Sequence, residues 1–227
     1  MNFQTELHNY CNFSCGYCPH HDMKREKQFM SDDVWHTILE RYIVPYKGYQ
    51  SLAYPAHNNT CPPTFIGHKD SEPLIDKKLP SRLKDLSAAI PDMKIDIYSN
   101  GVLLPKWKNR GEDFFDFLGT LPNRVRYMMS YHPHNHDGSA NDYAETITYL
   151  KHILICPPPN VEFITVSHRS KWVTQEMQNE WRKTWVDEIA KRLITVHSNV
   201  DINNWTGRIK EGTVEFHGCP YGDFGHM

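Results

Sequence analysis

The sequence has no apolar run long enough to cross a bilayer, no surplus of either charge, no internal repeat and no low-complexity tract. Its longest apolar stretches, such as Ile153–Cys156, fall far short of the ~20 residues a membrane span needs. Met1–Tyr10 is polar and carries neither the basic nor the apolar segment of a secretory signal. A soluble protein that stays in the cytoplasm is expected. The net charge of −2 and the pI near 6.7 give no electrostatic reason for a nucleic-acid or membrane partner. Nucleic acid is disfavoured on that ground.

Cysteine is scarce too. Six in 227 residues cannot form a disulfide scaffold for a chain of this size. None is needed, because 39% hydrophobic and 23% charged residues are ordinary globular usage. The length suits one domain, read as residues 1–202, with a short extension over 203–227. The few cysteines are clustered. Cys11, Cys15 and Cys18 crowd into one short stretch, while Cys61, Cys156 and Cys219 lie far apart. Close spacing without a secretory signal favours metal ligation over disulfide bonding.

Short β-like runs alternate with helix-like segments beyond that cluster. Asn2–Leu7, Thr64–Gly67, Met93–Tyr98, Arg124–Ser130, Val161–Val166 and Ile194–His197 read as strands, the last being the weakest. Helices are predicted over Val34–Val44, Leu79–Ile90, Glu112–Leu118, Asp142–Ile155 and Thr174–Leu193, from apolar residues at helical spacing. The first takes Ser31 as its N-cap and Val34, Trp35, Ile38, Leu39 and Tyr42 as its apolar face. Residues 46–62 form a long polar loop, and the tail from Asn203 is Gly-rich and irregular. Such alternation implies parallel βαβ units, arranged as a doubly wound sheet or as an incomplete (β/α) barrel. In both, reactive groups gather at the C-terminal ends of the strands. The cysteine loop, Gly67–Glu72, Ser99–Gly101, Ser130–His136 and Ser167–Arg169 all stand at such ends.

Three thiolates spaced C-x3-C-x2-C suit an iron–sulfur cluster, for which four cysteines are the common set. Three leave one iron open, and an open position is what chemistry needs of a metal. The non-catalytic alternative is an iron–sulfur or zinc-binding interaction module in which His20 or His21 adds a fourth ligand. His132, His134 and His136 alternate along a second segment and would share one side of an extended chain, which allows a zinc or non-haem metal site. Pro133 and Gly138 instead make that segment a loop, whose histidines line a pocket or face water.

Leu7–Pro19, LHNYCNFSCGYCP, resembles the cluster loop of the radical S-adenosylmethionine superfamily, including an aromatic residue, Tyr17, before the last cysteine. Phe65–Leu74, FIGHKDSEPL, is similar to that family's Gly-Gly-Glu-Pro segment, with Asp70 and Ser71 in place of the paired glycines. The resemblance covers nearly the whole chain and implies an α/β fold, a partial (β/α)6 TIM-like barrel with a short irregular C-terminal tail. It implies a [4Fe–4S] cluster on Cys11, Cys15 and Cys18. It also implies reductive cleavage of S-adenosylmethionine to a 5′-deoxyadenosyl radical that abstracts hydrogen from a substrate. By the same resemblance Tyr17, Gly67, Asp70, Ser71 and Glu72 border that cofactor, and Ser99 and Asn100 its methionyl part. Ser130 is expected at its ribose and Arg169 on its carboxylate, which a guanidinium matches bidentately.

An electron donor such as flavodoxin or ferredoxin is implied as partner. Asn203–Ile209, NNWTGRI, resembles the Asn-Trp-x-Gly turn of the peptide-modifying (SPASM) branch, which points to a peptide substrate; a nucleotide or small metabolite stays open. Cys219-Pro220-Tyr221 looks like the start of that branch's cysteine-rich extension, but the chain ends at Met227, so an auxiliary cluster is not expected.

Overall fold

A computed structural model describes residues 2–15, 18, 20, 23–45, 63–107, 109, 111–168 and 173–200. Six parallel strands pair in strict chain order: β1 (Asn2–Gln4), β2 (Thr64–Ile66), β3 (Lys94–Ser99), β4 (Val125–Tyr131), β5 (Val161–His168) and β6 (Thr195–Val200). The helices are α1 (Asp32–Ile38), α2 (Leu79–Ala89), α3 (Phe114–Gly119), α4 (Ala144–Ile153), α5 (Gln175–Thr184) and α6 (Val186–Ala190). A doubly wound sheet reverses its strand order near the middle, and this one never does. Right-handed crossovers in sequential order place every helix on one face, which is the winding of a barrel wall. Among the described residues β1 pairs only with β2 and β6 only with β5, so the wall stays open between them. The fold is an open, partial (β/α)6 barrel.

Strand register sorts the side chains into two faces. Ile95, Val125 and Val161 are aligned across β3, β4 and β5, as are Ile97, Tyr127 and Phe163, and all are buried. They meet the helices: the Phe115 ring lies 5.1 Å from that of Tyr127 and 4.9 Å from that of Phe163. Burying each such side chain stabilises the fold by about 1.5–3 kcal/mol. The alternate residues form the concave face, with Asp96, Arg126 and Glu162 at one level and Tyr98, Met128 and Ile164 at the next. Asn100 and Ser130 continue that alternation at the C-terminal edge.

Several elements differ from their predicted form. Ser31 caps α1 through its hydroxyl, but the helix passes at Leu39–Ile43 into a wider π-helical turn. That turn keeps Trp35, Leu39 and Ile43 on the buried face and leaves Val34 and Tyr42 exposed, so the apolar stripe is narrower than predicted. The helix predicted over Thr174–Leu193 breaks at Trp185 into α5 and α6. β1 is only three residues long, and β6, predicted to be weak, runs for six. Among the described residues, no helix is long and apolar enough to cross a membrane.

Candidate metal centre

After β1 the chain stays beside β2 for three more residues, with Thr5 N–H donating to Ile66 O (3.0 Å) and Leu7 N–H to Gly67 O (3.4 Å). It then loops out through the cysteines and returns, Met30 N–H closing on Leu7 O at 2.8 Å. Asn9 ties the two arms: its side chain donates to Glu26 O (2.8 Å) and accepts from Gln28 N–H (2.7 Å). From α2, the buried Arg82 guanidinium donates to Leu7 O (3.4 Å), to Met30 O and to the Asp76 carboxylate (2.6 Å). Both ends of the loop are thus fixed from inside the protein.

Cys11, Cys15 and Cys18 are free thiols, Cys15 buried and the other two half-buried. Cys18 N–H donates to Cys15 O at 2.9 Å, which closes the C-x2-C turn, and Phe13 N–H points at Cys11 Sγ (3.4 Å). Burial pushes the Cys11 thiol up to about 12, with Glu72 and Cys18 adding to the effect. Burial also raises Cys15, reinforced by Cys18 and Cys11, and raises Cys18, reinforced by Asp70. Thiols in this setting stay protonated near neutral pH unless a metal displaces the protons. Among the described residues, no three His, Cys, Asp or Glu side chains converge on a point where one ion would be held. The donor set is one of soft sulfur ligands spread along a loop, which fits a polynuclear iron–sulfur group in kind.

The segment after β2 is folded around Glu72. Its carboxylate is buried and accepts from Leu74 N–H (3.1 Å), the Ser99 hydroxyl (2.7 Å) and Asn100 N–H (2.8 Å). Burial still dominates, pushing the Glu72 carboxyl up to about 7. Glu72 N–H donates to Tyr10 O (2.9 Å), and Asn100 Nδ2 donates to Asn12 Oδ1 (2.9 Å). Glu72, Ser99 and Asn100 therefore join the ends of β2 and β3 to the cysteine loop. Both carboxylate oxygens of Glu72 are engaged by the protein itself.

Gly67 packs against Leu7, at the start of the cysteine loop. A Cβ there would stand 3.1 Å from Leu7 Cδ1 and 3.1 Å from Phe65 Cε1, so any side chain forces one of them aside. Asp70 N–H donates to Glu6 Oε1 (3.4 Å). The Ser71 hydroxyl is buried and finds no hydrogen-bond partner among the described residues, at the position expected to border a cofactor. Such an orphaned group wants a ligand. Ser130 is half-buried at the end of β4, where its carbonyl accepts from the Tyr143 hydroxyl (3.3 Å). Tyr17, His21, Arg169, Cys61, Cys219 and the Asn203–Ile209 turn lie outside the described residues.

His20 is buried, with Nε2 3.1 Å from Asn9 O, which commits that nitrogen to the backbone. The segment with His132, His134 and His136 is a closed loop, pinned at His134–Ala140, and its three histidines do not line one side of an extended strand. Cys156 is exposed and far from the loop in sequence.

No protein-family model matches the chain, and no curated protein matches it. Among solved structures, it is similar to BtrN in complex with AdoMet and 2-DOIA, with a TM-score of 0.47 and 20% identity. That match covers 65% of this chain and 50% of the other, so the chain spans half of that protein's length. A second similarity is to methylornithine synthase (PylB), with a TM-score of 0.30 and 8% identity over 94% of this chain and 73% of the other. Likenesses this distant do not bear on the activity of the present chain.

Three contributors were not singled out from the sequence. Asn12, Asn9 and Arg82 are ordinary polar residues by type, and only their partners in space, 88 positions on for Asn12 and 75 back for Arg82, give them a part in the site. Arg82 did leave one trace: a cation among Leu79, Leu83 and Leu86 on the buried side of a helix requires an internal partner.

Proposed function

We propose that the protein is a radical S-adenosylmethionine enzyme, with Cys11, Cys15 and Cys18 as the ligands of a [4Fe–4S] cluster. One observation carries the reading: a single loop brings three desolvated thiols to the C-terminal edge of an open, sequentially wound parallel barrel, bonded to the Glu72 segment that carries the unpartnered Ser71 hydroxyl. When bound, the cluster and S-adenosylmethionine supply one-electron cleavage of the sulfonium and hence a radical able to abstract hydrogen.

The chain's own part is to hold and to shield. Arg82 and Asn9 fix the two arms of the loop that carries the thiols, and Glu72, through Ser99 and Asn100, sets the adjoining strand ends at fixed distance from it. Ser71, Asp70 and Ser130 are the polar groups offered to the second cofactor at that edge; Tyr17 and Arg169 join the set by resemblance of sequence alone. The concave face below, with Tyr98, Met128 and Ile164, is where a substrate is shielded from water. The substrate is a peptide, a nucleotide or a small metabolite. The electron comes from a flavodoxin or ferredoxin, and the setting is the cytoplasm.

The test is anaerobic reconstitution with iron and sulfide, followed by dithionite and S-adenosylmethionine. The reading expects 5′-deoxyadenosine from the wild type and none from a variant with all three cysteines changed to Ala. A colourless zinc protein that forms no such product overturns it.

A further inference from the structure

Residues 131–141, between β4 and α4, are bonded mostly to themselves. Asn135 N–H donates to Ser139 O (2.9 Å), Gly138 N–H to Asn135 O (3.0 Å) and Asn141 N–H to Pro133 O (2.8 Å). Asn135 Nδ2 reaches Ser139 Oγ (3.0 Å) and Asn141 Oδ1 (2.9 Å). Asn141 Nδ2 donates to His132 O (2.8 Å), and the Tyr143 hydroxyl receives His132 N–H at 3.0 Å. Nothing in this scaffold requires the cysteine loop.

Yet the loop is docked on it at one residue. Ser14 N–H donates to Asn135 Oδ1 (3.1 Å), and His136 N–H donates to Ser14 O (2.5 Å). Both main-chain groups of Ser14 are thereby held by residues more than a hundred positions away, and Ser14 directly precedes Cys15. Phe13 meets the Tyr143 ring edge-on at 6.3 Å on the same side. Ser14 is exposed, so water would satisfy those two groups equally well. What water does not supply is a fixed position, and a preorganised loop does.

We propose that Asn135 is a positioning residue of the metal centre: with the His136 main chain it clamps Ser14 and holds the Cys11–Cys15 arm in its ligating shape. The inference rests on the reading of Cys11, Cys15 and Cys18 as cluster ligands. Asn135 reaches the cysteine loop through Ser14.

The experiment compares the full-length wild type with Asn135→Ala and Asn135→Asp. Aspartate keeps an oxygen for the Ser14 N–H but loses the donors to Ser139 and Asn141; alanine loses all three bonds. In metal-free protein, hydrogen exchange of the segment around Ser14 is followed by mass spectrometry, with β4 as the internal reference for an intact fold. In anaerobically reconstituted protein, iron release to a ferrous chelator is timed, and the paramagnetic resonance of the reduced sample is recorded. Asn135→Ala removes the bond to Ser14 together with those to Ser139 and Asn141, which predicts at least about tenfold faster exchange and iron release, with a broadened resonance. Asn135→Asp, which keeps the bond to Ser14 but not those to Ser139 and Asn141, recovers part of each change. Unchanged rates in Asn135→Ala, or rates in Asn135→Asp no slower than in Asn135→Ala, overturn the proposal. A wild type that takes up no cluster overturns the ligand reading instead, and the exchange comparison on metal-free protein still decides the clamp.

Discussion

Arg82→Met tests how the cysteine loop is anchored. Arg82 and Asp76 are each 1% exposed, and the guanidinium holds Asp76 at 2.6 Å together with the carbonyls of Leu7 and Met30. Methionine keeps the apolar stem and removes the charge. Asp76 is then left with Lys78 N–H (2.9 Å) and without its guanidinium, while two carbonyls lose a donor. Removing one partner of a buried ion pair costs about 3–5 kcal/mol. For a domain of this size that lowers the melting temperature by roughly 6–20 °C, at about 2–4 °C per kcal/mol. Urea titration of metal-free protein, followed by circular dichroism, measures it. Changing Asp76→Leu together with Arg82→Met removes the stranded polar group and recovers more than half of the loss. A loss below about 1 kcal/mol in the single variant refutes the view that this pair holds the loop from inside.

Glu72 gives a pH signature. Burial pushes its carboxyl up to about 7, so the folded chain keeps a proton between about pH 4.5 and 7 that the unfolded chain has released, and stability falls across that window. Buried His68, pushed down to about 3, acts in the opposite sense, because the unfolded chain binds a proton that the fold refuses. The Glu72 part is therefore read as a difference: the advantage of the wild type over Glu72→Gln shrinks by about 2–3 kcal/mol from pH 5 to pH 8 in urea titrations, and a constant gap contradicts it. Gly101→Ala should cost about 2–3 kcal/mol in the same assay, because φ is +79° and the new Cβ would lie 2.8 Å from Met129 Sδ. Trp181→Phe removes the 2.8 Å bond from Nε1 to the buried Thr165 hydroxyl and thins the stack on Tyr131; thermal melts should show a loss of about 2–3 kcal/mol.

The wall of the barrel was legible because its causes are local. Lys94–Ser99 and Val161–His168 alternate or run apolar between turn residues, and that pattern alone places a strand. Winding was legible only through the family resemblance, not from the pattern of elements. Nothing in the residues separates a sequential order from a doubly wound one, since both are built from the same βαβ units, and only the pairing of β1 with β2 and of β2 with β3 decides. The break at Trp185 escaped notice because Trp181 and Trp185 keep helical spacing across it while both remain buried.

At the site, Cys11, Cys15 and Cys18 were conspicuous by spacing, and the convergence of strand ends followed from topology. The roles of Asn12, Asn135 and Arg82 did not, because each depends on a partner brought near by the whole fold. Glu72 stood out through its neighbour Pro73 but was expected to face a ligand. Its engagement with Ser99 and Asn100 depends on the depth at which β2 and β3 end, which no local pattern encodes.

The ligand count decides the central claim most directly. Mössbauer spectra of protein reconstituted anaerobically with ⁵⁷Fe should show a four-iron cluster in which one iron changes its parameters when S-adenosylmethionine is added, and none should remain when Cys11, Cys15 and Cys18 are all replaced by Ala. Four irons that ignore S-adenosylmethionine, or a wild type that holds no iron, would contradict a cluster kept one protein ligand short.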